Sequence, residues 1–180
     1  MADICSTCSP ADDPAGFLPV TGDTPQILIL GSFPSIQSLR HGEYYGNPQN
    51  HFWKIMESLF GIDHHLPYRD RMAYLTGHHI ALWDVVRTCT RAGSADEKIR
   101  RPVFNDIGGF LTAYPTVRLI VLNGTAAGRY YRRMNMTPAI ENHILPSTSP
   151  ANTRYSLAEK GEAWKMVQRS CKKEMGSSVF

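Results

Sequence analysis

A chain of 180 residues lies within the usual range of one domain, and a hydrophobic share of 42% with 10% aromatics supplies enough apolar side chain for a packed core. It contains neither the roughly 20 uninterrupted apolar residues of a spanning helix nor the basic-then-apolar start of a secretion signal, so an intracellular protein without a membrane anchor is expected. A net charge of +3 from 19 basic and 16 acidic residues does not mark a polyanion binder by itself. The clusters Arg129-Tyr130-Tyr131-Arg132-Arg133 and Lys165 to Lys173 suit a phosphate backbone, but solvated helix faces look the same. Four cysteines in such a chain are expected as free thiols. Cys5-Ser6-Thr7-Cys8 has the spacing of metal and redox sites, yet Cys89 and Cys171 stand alone, so no metal is assigned.

Residues 1–24, rich in Pro, Asp, Gly, Ser and Thr without a periodic pattern, read as a tail and docking segment ahead of a single domain over 25–175. Gln26 to Gly31 is a short apolar run ending in glycine, as expected of a strand buried on both faces of a parallel sheet. Similar runs follow at His79 to Trp83, Val117 to Leu122 and, more weakly, Asn142 to Leu145. Helical patterns lie between and after them at Phe52 to Phe60, Tyr68 to Leu75, Phe104 to Ala113, Thr125 to Met134 and Ser156 to Cys171. Ser94-Ala95-Asp96-Glu97 has capping-box spacing and predicts one more short helix. Strands alternating with helices predict an α/β fold in which helices cover both sides of a mostly parallel sheet. Ligands of such sheets bind beyond the carboxyl ends of the strands, so the residues after each run are where chemistry is to be sought.

After the first run come Gly31-Ser32-Phe33-Pro34-Ser35 and then Tyr44-Tyr45-Gly46-Asn47-Pro48-Gln49-Asn50-His51-Phe52-Trp53. Flat rings for stacking and amides for hydrogen bonding suit a planar heterocycle, though a turn with Asn50 as a helix N-cap explains the same residues. After the third run Asn123-Gly124 offers an amide donor and acceptor to a base edge, or a cap to the next helix. After the fourth, Leu145-Pro146-Ser147-Thr148-Ser149-Pro150-Ala151-Asn152 reads as a firm loop whose hydroxyls and backbone donors can approach phosphates, or as a plain surface loop.

In this order along an α/β chain, these segments, with Leu82-Trp83-Asp84-Val85, resemble the uracil-DNA glycosylase superfamily, and within it the hypoxanthine-DNA glycosylase (DNA-deoxyinosine glycosylase) branch. The matching stretch runs from about residue 26 to Trp164. The resemblance implies a three-layer α/β/α fold with a central, mostly parallel four-stranded sheet. Relatives use an Asp or Asn in the first loop to position the attacking water. Phe33 stands there in this chain, so the essential amide is expected at Asn50, with Asn47 as second candidate. Ser32, Phe33, Tyr45, Phe52 and Asn123 are the implied base pocket, Tyr45 as its aromatic floor and Asn123 as reader of the base edge. Pro146, Ser147, Thr148, Ser149, Pro150 and Asn152 are the implied DNA-binding loop, in which Leu145 replaces a histidine usual in relatives. His143, two residues earlier, is read as out of phase and structural, and Asp84 as a supporting residue that orients Asn50 or acts as a general base; Ser94 and Asp96 resemble family positions as well, and are read as helix caps.

The implied activity is monofunctional hydrolysis of the N-glycosidic bond of a deaminated base in DNA, hypoxanthine before uracil, in base excision repair. No metal or redox cofactor is expected. The partner would be damaged DNA, met by a monomer in the cytoplasm or nucleoid, or in the nucleus of a eukaryote. Two alternatives stay open: a uracil or G-mismatch uracil/thymine glycosylase, and a nucleic-acid-binding module that has lost catalysis, which Phe33 and Leu145 at normally polar positions motivate. The matched segments hold no lysine for covalent lyase chemistry, and the chain has neither a G-x-S-x-G elbow nor a Walker loop.

Overall fold

The computed structural model describes residues 14–135 and 140–172; Cys5, Cys8 and the end of the Lys165 to Lys173 cluster lie outside them. Along the chain run β1 (Ile27–Gly31), α1 (Ile36–His41), α2 (Phe52–Phe60), α3 (Tyr68–Gly77), β2 (Ile80–Asp84), β3 (Val86–Thr90), β4 (Arg100–Phe104), α4 (Ile107–Ala113), β5 (Leu119–Asn123), α5 (Thr125–Arg133), β6 (Glu141–Leu145) and α6 (Leu157–Lys172). No helix among the described residues is long and apolar enough to cross a membrane.

The four apolar runs form one parallel sheet in the order β2-β1-β5-β6. Side chains of a strand alternate between faces, and an unbroken apolar run therefore needs cover on both. Ile27, Ile29, Leu82 and Val121 pack with Trp53, Met56, Leu75 and Trp164 of α2, α3 and α6. Leu28, Leu30, Ala81 and Ile120 pack with Ile107, Phe110, Ala127 and Tyr130 of α4 and α5. The result is the three-layer α/β/α arrangement expected. Strand β6 lies at an edge, and its exposed Glu141 and Asn142 account for the weakness of its sequence signal.

Residues 15–20 lie along the opposite edge. Val20 and Leu82 exchange both backbone bonds at 2.9 Å, Gly16 N–H donates to Arg87 O, and Phe17 meets the Tyr44 ring edge-on at 5.1 Å. This cover satisfies part of an otherwise open strand edge.

Three local expectations need correction. The helix expected from Phe104 begins at Ile107, where the Asp106 carboxylate accepts from Gly109 N–H at 2.8 Å. Arg100–Phe104 is instead strand β4, antiparallel to β3 in a two-stranded ribbon whose register shifts twice. Two arginines, a proline and an irregular register removed any clean alternation from that segment. Ser94 does not open a capped helix: its hydroxyl accepts from Ile36 N–H at 3.0 Å, and only one 3-10 turn follows at Asp96–Lys98. Finally, α1 stands inside what reads as an irregular loop, started by Ser35 Oγ accepting from Ser38 N–H and ended by Gly42 at φ 68°.

Candidate active site

The chain passes from β1 to β2 on one side and from there to β5 on the other, so the sheet's switch point lies between β1 and β5, where a crevice opens past the strand ends. The pairing register aligns Asp84 with Gly31 and Asn123 with Leu145, and Leu30 with Leu122, so the last row of the sheet reads Asp84, Gly31, Asn123, Leu145. In a parallel sheet such a row points to one face, here the face of α2 and α6. Gly31 is the gap in it, since a Cβ there would collide with the Asp84 carboxylate. A cavity of about 90 Å³ stands over this row, lined by residues of the 31–38 and 44–50 segments, Asp84, Ser94, Asp96, Asn123 and Ser147 to Ser149.

Asn123 is buried and its amide is fully engaged: Nδ2 donates to Tyr45 Oη (3.2 Å) and Thr148 Oγ1 (2.9 Å), while Oδ1 accepts from Thr148 N–H (2.9 Å). It thus locks the 145–152 loop to the sheet and to the tyrosine. Tyr45 itself has φ 56°, a conformation disfavoured for a bulky residue, and is held there by stacking on Phe52 at 3.8 Å and 17°. Phe52 is fully buried beneath that ring and lies behind the pocket, not on its lining.

Asn50 lines the pocket. Its Oδ1 accepts from Phe52 N–H at 3.0 Å, which orients the amide, and its Nδ2 has no partner among the described residues. Asn50 is not the N-cap of α2, a position taken by His51 without a side-chain cap bond; its amide instead closes a turn one residue earlier, on the pocket wall. Asn47 does not reach the pocket: its Oδ1 closes a turn on Gln49 N–H at 2.9 Å. Of the implied DNA-binding loop, Ser147, Thr148 and Ser149 line the pocket, Pro146 and Asn152 line an adjoining groove of about 470 Å³, and Pro150 lines neither. That groove runs past Gly124 and Thr125 at the start of α5. Trp164 Nε1–H donates to Pro146 O (3.0 Å), His51 N–H to Thr148 O (3.0 Å), and the buried Lys160 Nζ to Asn152 O (2.9 Å) and Ser149 O (3.3 Å). Gly124, at φ 100°, admits the loop, since a Cβ there would stand 2.7 Å from Ser147 Cβ.

The sequence profile described as the uracil DNA glycosylase superfamily matches residues 18–168. This chain belongs to the uracil DNA glycosylase superfamily. Curated relatives named hypoxanthine DNA glycosylase are 39% identical to it in Methanosarcina acetivorans, over 86% of this chain and 97% of the relative, and 36% identical in Methanosarcina barkeri, over 83% and 94%. The solution NMR structure of a protein proposed to be a uracil DNA glycosylase, from Methanosarcina acetivorans, superimposes with a TM-score of 0.75 at 38% identity, covering 88% of this chain and 98% of that one.

This glycosylase superfamily member carries two carboxyl groups in its pocket, Asp84 and Asp96, of which the sequence assigned a place at the site to the first alone. Ser32 Oγ–H donates to Asp96 Oδ1 at 2.6 Å, so Asp96 is a pocket residue rather than a cap. The capping-box spacing concealed it. Asp84 makes no hydrogen bond to Asn50, correcting the expectation that it orients that amide; its carboxyl accepts no hydrogen bond among the described residues, and Oδ2 is buried without a partner. Burial first, then the nearby Asp96, push its pKa up to about 8 against the pull of Arg91. Burial raises the Asp96 pKa too, opposed by the Ser32 hydroxyl and by Arg91 and Arg129. The Arg91 guanidinium lies over the Phe33 ring at 4.9 Å, which fixes that pocket residue. Leu145 is buried in the core, and His143 is not out of phase with it: residues two apart on a strand share a face, and His143, opposite Val121, sits one pleat back with Nε2 on Glu141 at 2.6 Å. Away from the pocket, Asp63, His64 and His65 bring one ligand atom each within 4.8 Å of one another, with His64 engaged by Glu57 at 2.6 Å.

Proposed function

We propose that this protein is a monofunctional DNA glycosylase that hydrolyses the N-glycosidic bond of a deaminated base, with deoxyinosine as its foremost substrate. The observation that carries the reading is the convergence of Tyr45, Asn50, Asn123 and the 147–149 segment, far apart in sequence, on one crevice at the sheet's switch point. The names of the relatives from two Methanosarcina species point to the same base.

A base within a duplex is shielded from attack, so the nucleotide must turn out of the stack, which is easiest for a mispaired or deaminated base. Tyr45 has one ring face covered by Phe52 and offers the pocket a stacking surface. Stacking of this kind contributes on the order of 1–3 kcal/mol and tolerates any base, so selection falls to hydrogen bonds. Asn50 Oδ1 keeps one lone pair after accepting from Phe52 N–H and uses it to orient the attacking water toward the sugar carbon. Since an amide takes no proton, Asn50 positions the water while bond breaking leads. No lysine lines the pocket among the described residues, and Lys160 is occupied behind the loop, which favours simple hydrolysis over a covalent intermediate. All of these groups come from one chain, which fits a monomer, and a substrate in genomic DNA places its work inside the cell.

The test is base release from oligonucleotides carrying inosine, uracil, or a G-mismatched uracil or thymine. Hypoxanthine release is expected, abolished in Asn50→Ala with DNA binding largely kept. Loss of the one bond from Phe52 N–H should cost only about 1 kcal/mol, so the variant remains folded. Release of uracil alone would defeat the deoxyinosine assignment, and no release from any substrate would support a binding module instead.

A further inference from the structure

Breaking the bond between C1′ and N9 leaves an electron pair on the base, and among the described residues no cationic side chain lines the pocket to meet it. Its lining contains no lysine, arginine or histidine among the described residues; the groups that hold an acidic proton are Tyr44, Tyr45, Asp84 and Asp96. Burial pushes both phenol pKa values well up, so the tyrosines hold their protons too firmly to give them away. Asp96 has the Ser32 hydroxyl and two guanidinium groups to stabilise its ionised form. Asp84 has no hydrogen-bond donor to its carboxyl among the described residues, and an ionised Oδ2 in that position would have neither solvent nor a partner there. An ionised Asp84 would also repel the charge that the reaction places on the base.

We infer, on the glycosylase reading just given, that Asp84 enters the reaction as a neutral carboxylic acid and hands its proton to N7 of the departing purine. The C1′–N9 bond breaks with its electron pair on the base; the Asp84 O–H proton moves to N7, so the base leaves as neutral hypoxanthine. The water held at Asn50 forms the new C1′–O bond and releases a proton to solvent, from which the Asp84 carboxylate is protonated again. Two carboxyl groups with different surroundings thus divide the work: Asp96, hydrogen-bonded, carries charge, and Asp84, bare, carries the proton. The groups facing Asp84 are Asp96 before β4, Arg91 after β3, and the phenols of Tyr44, Tyr45 and Tyr68, each phenol kept neutral by burial. The proton is present below the Asp84 pKa of about 8 and lost above it. A pyrimidine has no ring nitrogen where the purine has N7, so the same acid favours hypoxanthine over uracil.

The experiment is single-turnover base release across pH 5 to 10 by the whole protein on duplexes containing deoxyinosine or 7-deazadeoxyinosine, with DNA affinity measured alongside. The wild-type rate on deoxyinosine should fall tenfold per pH unit above about 8. Asp84→Asn, which retains shape, should be slower by about 100-fold at neutral pH with that alkaline limb gone and DNA affinity kept. The wild type should release 7-deazahypoxanthine far more slowly than hypoxanthine, and Asp84→Asn should slow it no further. A limb that persists in Asp84→Asn belongs to the N1–H of the base itself and overturns the assignment. Equal wild-type rates on the two bases overturn it without any variant. Absence of release from every deaminated-base substrate strikes the glycosylase reading itself, an outcome distinct from normal release that is indifferent to Asp84.

Discussion

Replacing Asn123 with alanine separates its role as a latch from any role in reading the base. The substitution removes the hydrogen bonds to Tyr45 Oη, Thr148 Oγ1 and Thr148 N–H, and Thr148 is fully buried. The two hydroxyls can turn toward water entering the vacated space, at a net loss of about 0.5–1.5 kcal/mol each. The backbone N–H cannot turn and bears the larger penalty of an orphaned buried donor, about 1–3 kcal/mol. Allowing for water compensation, the sum is about 2–4 kcal/mol, which lowers Tm by roughly 5–15 °C in a domain of this size. Thermal unfolding followed by circular dichroism, with urea melts to confirm an unchanged slope, measures it. A Tm within about 2 °C of wild type would refute the latch. Instability should come with lowered base release, because Tyr45 and the 147–149 segment lose their common anchor.

Asp84→Asn should reveal the same carboxyl through stability. The native state keeps a proton up to about pH 8 that the unfolded chain releases near pH 4, so each pH step between destabilises the wild type. The variant should therefore be more stable at pH 9, with the gain vanishing toward pH 4; melts showing a pH-independent difference would contradict this. Gly124→Ala combines a positive φ with the clash against Ser147 and should cost more than about 2 kcal/mol, as urea unfolding would register. Lys160→Met removes a buried cation along with its two carbonyl bonds, so global stability should change by less than about 2 kcal/mol while amide exchange at residues 149–152 accelerates; unchanged exchange there would refute the latch at that end. Arg132→Gln with Arg133→Gln, both exposed on α5, should weaken DNA binding and reduce the log–log salt slope by about two, with saturated base release unchanged. A slope identical to wild type would remove the exposed face of α5 from the DNA path.

Much of the fold was legible because continuous apolar runs have one comfortable setting. The Ile27, Ile80 and Leu119 strands are buried on both faces, and α2 begins and ends where its pattern does, at Phe52 and Phe60. The β3–β4 ribbon was not, since its residues are half exposed and its register is irregular. At the site, Tyr45 and Asn50 stood out by residue type. Asp96 did not, because it lies within Ser94 to Glu97, whose spacing imitates a capping box, and Phe52 and Asn47 were placed nearer the base than their packing allows.

The amino-acid sequence by itself determined the layers, the strand ends and the family, because hydrophobic period and glycine placement act over a few neighbouring residues. Only the tertiary structure decided which polar groups spend their hydrogen bonds on one another and which keep them for a ligand. Asn123 is saturated by Tyr45 and Thr148, whereas the carboxyl of Asp84, beside it in the last row of the sheet but for Gly31, is left without a donor among the described residues. That difference depends on partners 25 and more residues away in sequence, which no local pattern records.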